Sequence, residues 1–338
     1  MPSQKKNLER LLEAVAAAAN ITILLHNSPD PDALASGAGL CYLIAEKLDI
    51  NVQVVYRGVI GRAENKALVE YLGIPMQELA DEQPLPPGPY ALVDTQPTVG
   101  NSPLPEGALP VLVLDHHREA EAPEVKFRDV RPWIGATSSI VYQYLRAGEL
   151  NPPVNIATGL LYGIKTDTQS LSRKTSPADV AAYFQLLPLI DVDALVEIEQ
   201  AQVPATYFKN LMTAMESASL YNGVVVSWLG ELEYPDLVAE VADLLRRLES
   251  VETVICMGTY DEKMRYSVRT RAEASTSAAL LAEKMANGEG SGGGHETSAA
   301  GQIPLDGRDA VGLVERLRER ALAFLDLPPD IESRPLVA

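Results

Sequence analysis

The stretch Val111-Leu112-Val113-Leu114-Asp115-His116-His117 decides the fold of the first part of the chain. A short apolar run that ends in polar residues is typical of a buried parallel strand. In an open α/β sheet, ligands bind beyond the carboxyl ends of the strands. The strand therefore brings an acid and two histidines to the edge where chemistry is expected. The alternative is a pair of solvated histidines in the turn that follows a strand.

Length and composition limit the classes of protein to consider. The chain has 338 residues, which favours two domains. No apolar stretch approaches the roughly 18 residues of a transmembrane helix, and the polar N-terminus lacks a signal peptide's apolar region. The only two cysteines, Cys41 and Cys256, are far apart, which excludes a disulfide framework and a cysteine metal site. These features predict a cytoplasmic protein with no membrane partner.

The net charge of −18 limits the choice of substrate. Broad binding to long nucleic acid needs a basic surface, so no long nucleic acid is expected as a partner. A short anionic substrate stays possible where metals and a few arginines gather. The sequence leaves the oligomeric state open, a homodimer included.

Alternating strands and helices in the first half predict an α/β fold with a parallel sheet and helices on both faces. We expect this N-terminal domain over residues 1–185, a helical connector over 186–218 and a smaller C-terminal α/β domain over 219–338. In the last domain the pattern predicts one strand over 221–228, a hairpin of strands 253–258 and 264–269, and a glycine-rich loop over 288–294.

Acids and histidines of the first half fall at predicted strand ends and helix starts. They are His26, Asp30, Asp32, Asp94, Asp115, His116, His117 and Asp167. Carboxylates suit hard divalent cations, and imidazole favours manganese, iron or zinc over magnesium. Two metals about 3.5–4 Å apart can clamp a phosphoryl group and activate a water, with one carboxylate bridging them. Taken singly, each acid has a simpler explanation, and Asp32 could be a helix cap.

The glycine-rich loop ends at His295, and two arginines, Arg269 and Arg271, lie upstream of it on a predicted strand. Glycines let backbone N–H groups approach an anion closely, and arginine offers a fork that matches phosphate. The pattern therefore favours substrate binding by Arg269, Arg271 and His295, with the glycines 292–294 between them. The alternative for the loop is a flexible linker.

These motifs resemble the DHH phosphoesterase family, which is named for the triplet Asp115-His116-His117. The segment 26–33, His-Asn-Ser-Pro-Asp-Pro-Asp-Ala, resembles that family's first motif. Leu92-Val93-Asp94 resembles the second, and the segment 163–168 resembles the fourth. The segments 267–271 and 292–295 resemble the two motifs of the DHH-associated C-terminal domain. The order is that of the family, and the resemblance covers nearly the whole chain.

The resemblance implies a role for each residue. His26, Asp30 and Asp94 would hold one Mn²⁺, and Asp32, Asp94, His116 and Asp167 a second, with Mg²⁺ or Co²⁺ as substitutes. His117 would contact the substrate phosphate, and Asp115 would orient the neighbouring histidine. The substrate-binding residues would be His117, Arg269, Arg271, Gly292, Gly293, Gly294 and His295.

Pro31 and Ala35 stand where many members of the family have glycine. The segment 297–300 after His295 differs from the oligonucleotidase form and is similar to that of cyclic-dinucleotide phosphodiesterases. The exact substrate is therefore left open.

The function expected from the resemblance is manganese-dependent hydrolysis of phosphoester bonds in small nucleotides by a water that two metals activate. The candidate substrates are short oligoribonucleotides, linear or cyclic dinucleotides and 3′-phosphoadenosine 5′-phosphate. The alternatives are a catalytically inactive nucleotide sensor, which should have lost metal ligands, and a single-strand exonuclease of the RecJ type. A structural protein that merely binds a metal would not need the arginine pair and the glycine loop.

Overall fold

The computed structural model describes residues 2–80, 82–105, 107–121, 124–272, 274, 276–328 and 330–337. The chain divides into two units, Met1–Ala201 and Gln202–Ala338. The boundary between the two units falls inside the predicted connector 186–218, whose own limits stay a prediction. No helix in the described part of the chain has the length and apolar character that crossing a membrane requires.

The first unit is built on six strands. These are β1 (Asn20–Leu25), β2 (Asn51–Arg57), β3 (Met76–Leu79), β4 (Tyr90–Val93), β5 (Leu112–Asp115) and β6 (Phe127–Val130). They lie in the order β3-β2-β1-β4-β5-β6, and every pair of neighbours is parallel. The strands β1, β4 and β5 are consecutive neighbours, so their carboxyl ends meet at one edge of the sheet. This confirms the predicted α/β fold class.

The described residues of the first unit form seven helices. They are α1 (Pro2–Val15), α2 (Pro31–Lys47), α3 (Ala63–Leu72), α4 (Thr137–Ala147), α5 (Val154–Asp167), α6 (Pro177–Leu186) and α7 (Val192–Glu199), and a single 3₁₀ turn (Leu187–Leu189) joins the last two. Helix α2 begins sharply because Asp30 is its N-cap and accepts a hydrogen bond from the Ala33 N–H, while Pro31 opens the first turn. The chain thus leaves β1 at His26 and enters a helix with one acid, Asp30, at its N-cap and another, Asp32, in its first turn.

The two faces of this sheet are covered differently. Side chains alternate along a strand, so Ile21, Ile23 and Leu25 face one side and Leu24 the other. The first side packs against the helices in one large core. In the cluster on the second side, the described residues come from strands and connecting segments, Leu85 and Leu104 among them. The helices predicted for both faces are therefore observed on one, because long proline-rich connections follow β3 and β4.

In the part that the structure describes, the second unit contains a seven-stranded mixed sheet and four helices. Its strands are β7 (Ser219–Tyr221), β8 (Val224–Glu231), β9 (Thr253–Tyr260), β10 (Lys263–Thr270), β11 (Ser291–Gly294), β12 (Ser298–Pro304) and β13 (Arg334–Pro335), in the order β11-β12-β10-β9-β8-β7-β13. Its helices are α8 (Ala205–Ser217), α9 (Leu237–Leu245), α10 (Ala278–Ala286) and α11 (Ala310–Phe324). The strands β9 and β10 form the predicted antiparallel hairpin.

Two sequence predictions in this unit are wrong. The single strand predicted over 221–228 is two strands, because Asn222 and Gly223 both have positive φ and turn the chain between β7 and β8. The last part of the predicted loop 288–294 is instead the edge strand β11, which begins at Ser291. There, a Cβ on Gly292 would lie 2.4 Å from the Ala282 carbonyl oxygen, so the missing side chain permits close packing of β11 on α10.

Candidate metal centre

The predicted metal ligands come together at the carboxyl edge of the first sheet. His26 follows β1, Asp94 follows β4, and His116 follows β5. Asp30 and Asp32 stand at the start of α2, and Asp167 is the last residue of α5. Side chains that are far apart in sequence thus converge because parallel neighbours end together.

Asp94 lies at the centre of this cluster. Its Oδ2 is 3.6 Å from His26 Nε2, and its Oδ1 is 3.6 Å from His116 Nε2. His26 Nε2 is also 3.7 Å from Asp30 Oδ1, and His116 Nε2 is 3.1 Å from Asp167 Oδ2. Asp94 itself has φ +59°, a left-handed conformation that a non-glycine residue adopts at a cost.

The donor atoms of the cluster suit divalent cations. They form three groups, each with ligand atoms within 4.8 Å of one another: His26, Asp30 and Asp94; Asp94, His116 and His117; and Asp32, His116 and Asp167. Asp94 and His116 are each shared by two groups. Among the described residues, Asp94 Oδ2 and His116 Nε2 are buried without a well-directed hydrogen bond. Since buried polar atoms are normally satisfied, these two atoms fit a site built for cations.

The pKa values of several groups in the cluster are raised, which favours the binding of positive charge. Burial raises the pKa of Asp94 to about 6. Burial, then the carboxylates of Asp94 and Asp167, raises the pKa of Asp32 well above its usual range. Burial alone would lower the pKa of His26, but the hydrogen bond and charge of Asp30 raise it to about 10. Each of these shifts favours the protonated form, and metal ligands must be deprotonated, so metal binding would compete with these protons.

The start of α4 supports the cluster, and the sequence analysis did not identify it as part of the site. Asp32 Oδ2 accepts a 2.6 Å hydrogen bond from the Thr137 N–H, and Asp32 Oδ1 a 2.8 Å bond from the Ser138 N–H. These N–H groups have no partner within their own helix, so Asp32 satisfies them. Asp32 is therefore not the cap of its own helix, the simpler role considered for it. The only sequence signal is a run of small polar residues at a helix start.

Asp115 contacts the histidine that follows the next residue, and its role in orienting that histidine stays a prediction. The side chain is buried, and its Oδ1 accepts from the N–H groups of His116 and His117 and lies 2.9 Å from His117 Nδ1. Its Oδ2 accepts a 2.7 Å hydrogen bond from Gln96 Nε2. Gln96 is fully buried and was missed by the sequence analysis, since a lone glutamine carries no sequence signal.

In the second unit, the predicted substrate-binding residues have definite positions. Arg269 lies on β10, and its Nε donates a 2.7 Å hydrogen bond to Asp243 on α9. Arg271 lies just beyond the end of β10, and its Nε donates to the Val251 carbonyl. His295 follows β11 and is exposed, as are Gly293 and Gly294 beside it. Substrate binding by these residues stays a prediction.

Comparison with known proteins agrees with this architecture. The chain matches the DHH family N-terminal domain over residues 20–164 and the DHHA1 domain over residues 222–326. A crystal structure of an exopolyphosphatase-related protein from Bacteroides fragilis has the same fold, with a TM-score of 0.69, 16% identity and coverage of 95% of this chain and 98% of that one.

Three curated relatives are similar in sequence. An uncharacterized protein from Methanocaldococcus jannaschii is 33% identical over 89% of this chain and 61% of its own length. A cyclic-di-AMP phosphodiesterase from Listeria monocytogenes is 24% identical over 87% of this chain and 46% of its own length. A probable manganese-dependent inorganic pyrophosphatase from Streptococcus equi subsp. zooepidemicus is 24% identical over 70% of this chain and 76% of its own length. The chain spans less than two thirds of the first two relatives.

The two matched domains together cover most of the chain, in the order that the motifs predict. The protein therefore belongs to the DHH family, with a DHH N-terminal domain followed by a DHHA1 domain.

Proposed function

We propose that the protein hydrolyses phosphoester bonds in small nucleotides with the help of two divalent cations. One observation carries the proposal: the groups of donor atoms overlap at Asp94 and His116 instead of standing apart. A shared carboxylate is the arrangement that holds two cations close together, and such pairs serve phosphoryl chemistry.

Each cation would have its own ligands around the shared carboxylate. His26, Asp30 and Asp94 would hold one, and Asp32, Asp94, His116 and Asp167 the other. Manganese suits a mixed set of imidazoles and carboxylates, and Mg²⁺ or Co²⁺ are possible substitutes. The streptococcal relative is described as manganese-dependent, which supports this choice.

The mechanism assigns separate tasks to the residues of the first unit. When bound, the cations would activate a water and neutralise the charge that develops on the phosphoryl oxygens. Asp94, fixed by its neighbours, would belong to both ligand sets and so hold them in a constant position relative to each other. His117, held by Asp115, would meet the substrate phosphate. Hydrogen bonds from α4 would keep Asp32 in place, so that little reorganisation is needed during the reaction.

The substrate class is inferred from charge and from the relatives. A net charge of −18 disfavours long nucleic acid and leaves short anions that the cations attract. The Listeria relative is named as acting on a cyclic dinucleotide. The matched DHHA1 domain contains Arg269, Arg271, strand β11 and His295, which we propose as the residues that bind the substrate. We therefore expect linear or cyclic dinucleotides, with short oligoribonucleotides and 3′-phosphoadenosine 5′-phosphate as further candidates.

A product screen tests this proposal. The purified protein is incubated with Mn²⁺ and linear diadenylate, linear diguanylate, their cyclic forms, 3′-phosphoadenosine 5′-phosphate, a single-stranded oligodeoxynucleotide and pyrophosphate. We expect turnover of at least one dinucleotide and none after chelation. Turnover of pyrophosphate alone would favour the activity named for the streptococcal relative, and degradation of the oligodeoxynucleotide alone would favour the exonuclease alternative. Turnover of none would favour a nucleotide sensor.

A further inference from the structure

A buried glutamine behind the Asp-His-His triplet has no role in the proposed ligand set. Gln96 lies two residues after Asp94 and is fully buried. A buried amide is costly unless its hydrogen bonds are made, so its partners indicate what it does.

The amide of Gln96 has all four of its hydrogen-bonding positions filled. Its Nε2 donates to Asp115 Oδ2 at 2.7 Å and to the Arg118 carbonyl at 3.0 Å. Its Oε1 accepts from Arg128 Nη2 at 2.8 Å and from the Ala120 N–H at 3.0 Å. Arginine can only donate and an ionised aspartate can only accept, so the two ends of the amide cannot be exchanged.

The fixed orientation of the Gln96 amide also determines, through Asp115, which nitrogen of His117 carries a proton. With Oδ2 of Asp115 held by Gln96, its Oδ1 faces His117 Nδ1 at 2.9 Å. An ionised carboxylate accepts, so Nδ1 must carry a proton in this contact. That proton prevents Nδ1 from acting as a metal ligand. His117 Nδ1 is also 3.8 Å from Asp94 Oδ1, so without this proton the nitrogen could act as a ligand of the metal cluster.

From this geometry we infer that Gln96 is a positioning residue, which holds Asp115 so that His117 keeps its Nδ1 proton and meets the substrate through Nε2. The inference deepens the proposed function and rests on it, because it assigns His117 to the substrate instead of to a cation. Second contacts of this kind fix the tautomer and the ring orientation of functional histidines.

The test observes the proton itself. The chain has four histidines, so a protein labelled with ¹⁵N-histidine gives few imidazole signals, and His117→Ala identifies those of His117. Spectra are recorded without metal and with the diamagnetic ion Mg²⁺. We expect a downfield Nδ1–H signal of His117 that exchanges slowly with water in both states. The absence of that signal in the wild-type protein, or its loss on adding Mg²⁺, would overturn the inference.

Substitution at Gln96 then tests the cause. In Gln96→Met the exchange of this proton should become at least about tenfold faster, and kcat/KM on a dinucleotide should fall at least about tenfold with metal affinity kept. Gln143→Met is the matched control, since Gln143 accepts a 2.7 Å hydrogen bond from Arg131 in the same unit. Gln143→Met should leave the Nδ1–H signal of His117 and its exchange rate unchanged. An unchanged exchange rate in folded Gln96→Met would contradict the inference.

A second variant is available if Gln96→Met does not fold. Gln96→Leu removes the donor to Asp115 and places no second carboxyl group beside it. We expect the same faster exchange, and slow exchange in this variant would overturn the inference. Because the exchange rate is read without turnover, a wild-type protein that hydrolyses nothing would refute the proposed function and leave this test valid.

Discussion

Thr137 Oγ1 donates a 2.7 Å hydrogen bond to Asp94 Oδ1, while the backbone N–H of the same residue binds Asp32 Oδ2 at 2.6 Å. One residue at the start of α4 thus touches the carboxylate shared by both proposed cations and a carboxylate proposed to bind only one. Helix α4 therefore contacts two of the proposed metal ligands besides covering the sheet.

Loss of the Thr137 hydroxyl should weaken metal binding. We expect Thr137→Val to lower Mn²⁺ affinity about tenfold, since a hydrogen bond to a charged group contributes roughly 1.5 kcal/mol or more. The measurement is a calorimetric Mn²⁺ titration. Thr158→Val is the control, because Thr158 is also buried and its hydroxyl bonds the Val154 carbonyl. Equal affinities in both variants would show that Thr137 has no influence on the cluster.

Gly163 should matter more to the site than Gly159, although both lie on α5. A Cβ on Gly163 would stand 2.5 Å from Ser138 Oγ and 3.1 Å from Asp32 Oδ1, whereas one on Gly159 would meet the flexible end of Leu72 at 2.7 Å. Overpacking of this kind costs about 1–3 kcal/mol. We expect Gly163→Ala to lose most of the thermal stabilisation by Mn²⁺ and Gly159→Ala to keep it. The reverse order in melting curves with and without Mn²⁺ would contradict the assignment of Asp32.

Metal removal should lower the melting temperature without unfolding the protein at room temperature. The four carboxylates Asp30, Asp32, Asp94 and Asp167 crowd one cluster, and cations relieve their repulsion. At about 100 times its dissociation constant, a bound ion adds roughly 2.7 kcal/mol to the free energy of unfolding. Calorimetric scans in Mn²⁺ and in chelator measure this. Identical transitions would argue against a metal site.

The sequence was most informative where chemistry and strand ends coincide. His26, Asp94 and His116 each follow a short apolar run, so the parallel pattern predicted their convergence. Short edge strands such as Met76–Leu79 were missed because four residues carry little periodicity, and their strand state depends on the neighbour that pairs with them.

Long-range contacts set the other limit on prediction. The bond between Ser138 and Asp32 joins residues 106 positions apart, and a local pattern cannot predict which helix end will face which acid. The same holds for Arg269 and Asp243, which lie 26 positions apart. Sequence analysis predicted the arginine as a phosphate ligand and could not predict the carboxylate that holds it.

That carboxylate provides a test of the predicted substrate residues. We expect Arg269→Ala and His295→Ala to lower kcat/KM on a dinucleotide at least about tenfold, roughly 1.4 kcal/mol, with less effect on bis-p-nitrophenyl phosphate. Asp243→Ala removes the partner and keeps the arginine. If Arg269 binds substrate, Asp243→Ala should retain activity on the dinucleotide. A loss of kcat/KM equal to that of Arg269→Ala would indicate that the ion pair between Arg269 and Asp243 has a structural role only.

The most direct test of the proposed two-cation hydrolysis is the release of AMP from linear diadenylate by the wild-type protein and by Asp94→Asn, measured across Mn²⁺ concentrations. Asp191→Asn is the control, because Asp191 caps α7 and asparagine caps equally well. We predict Mn²⁺-dependent release by the wild-type protein and the control, and a rate at least about 100-fold lower for Asp94→Asn, roughly 2.7 kcal/mol of barrier. Release that persists in chelator, or that Asp94→Asn keeps above a tenth of the wild-type rate at saturating Mn²⁺, would contradict the account.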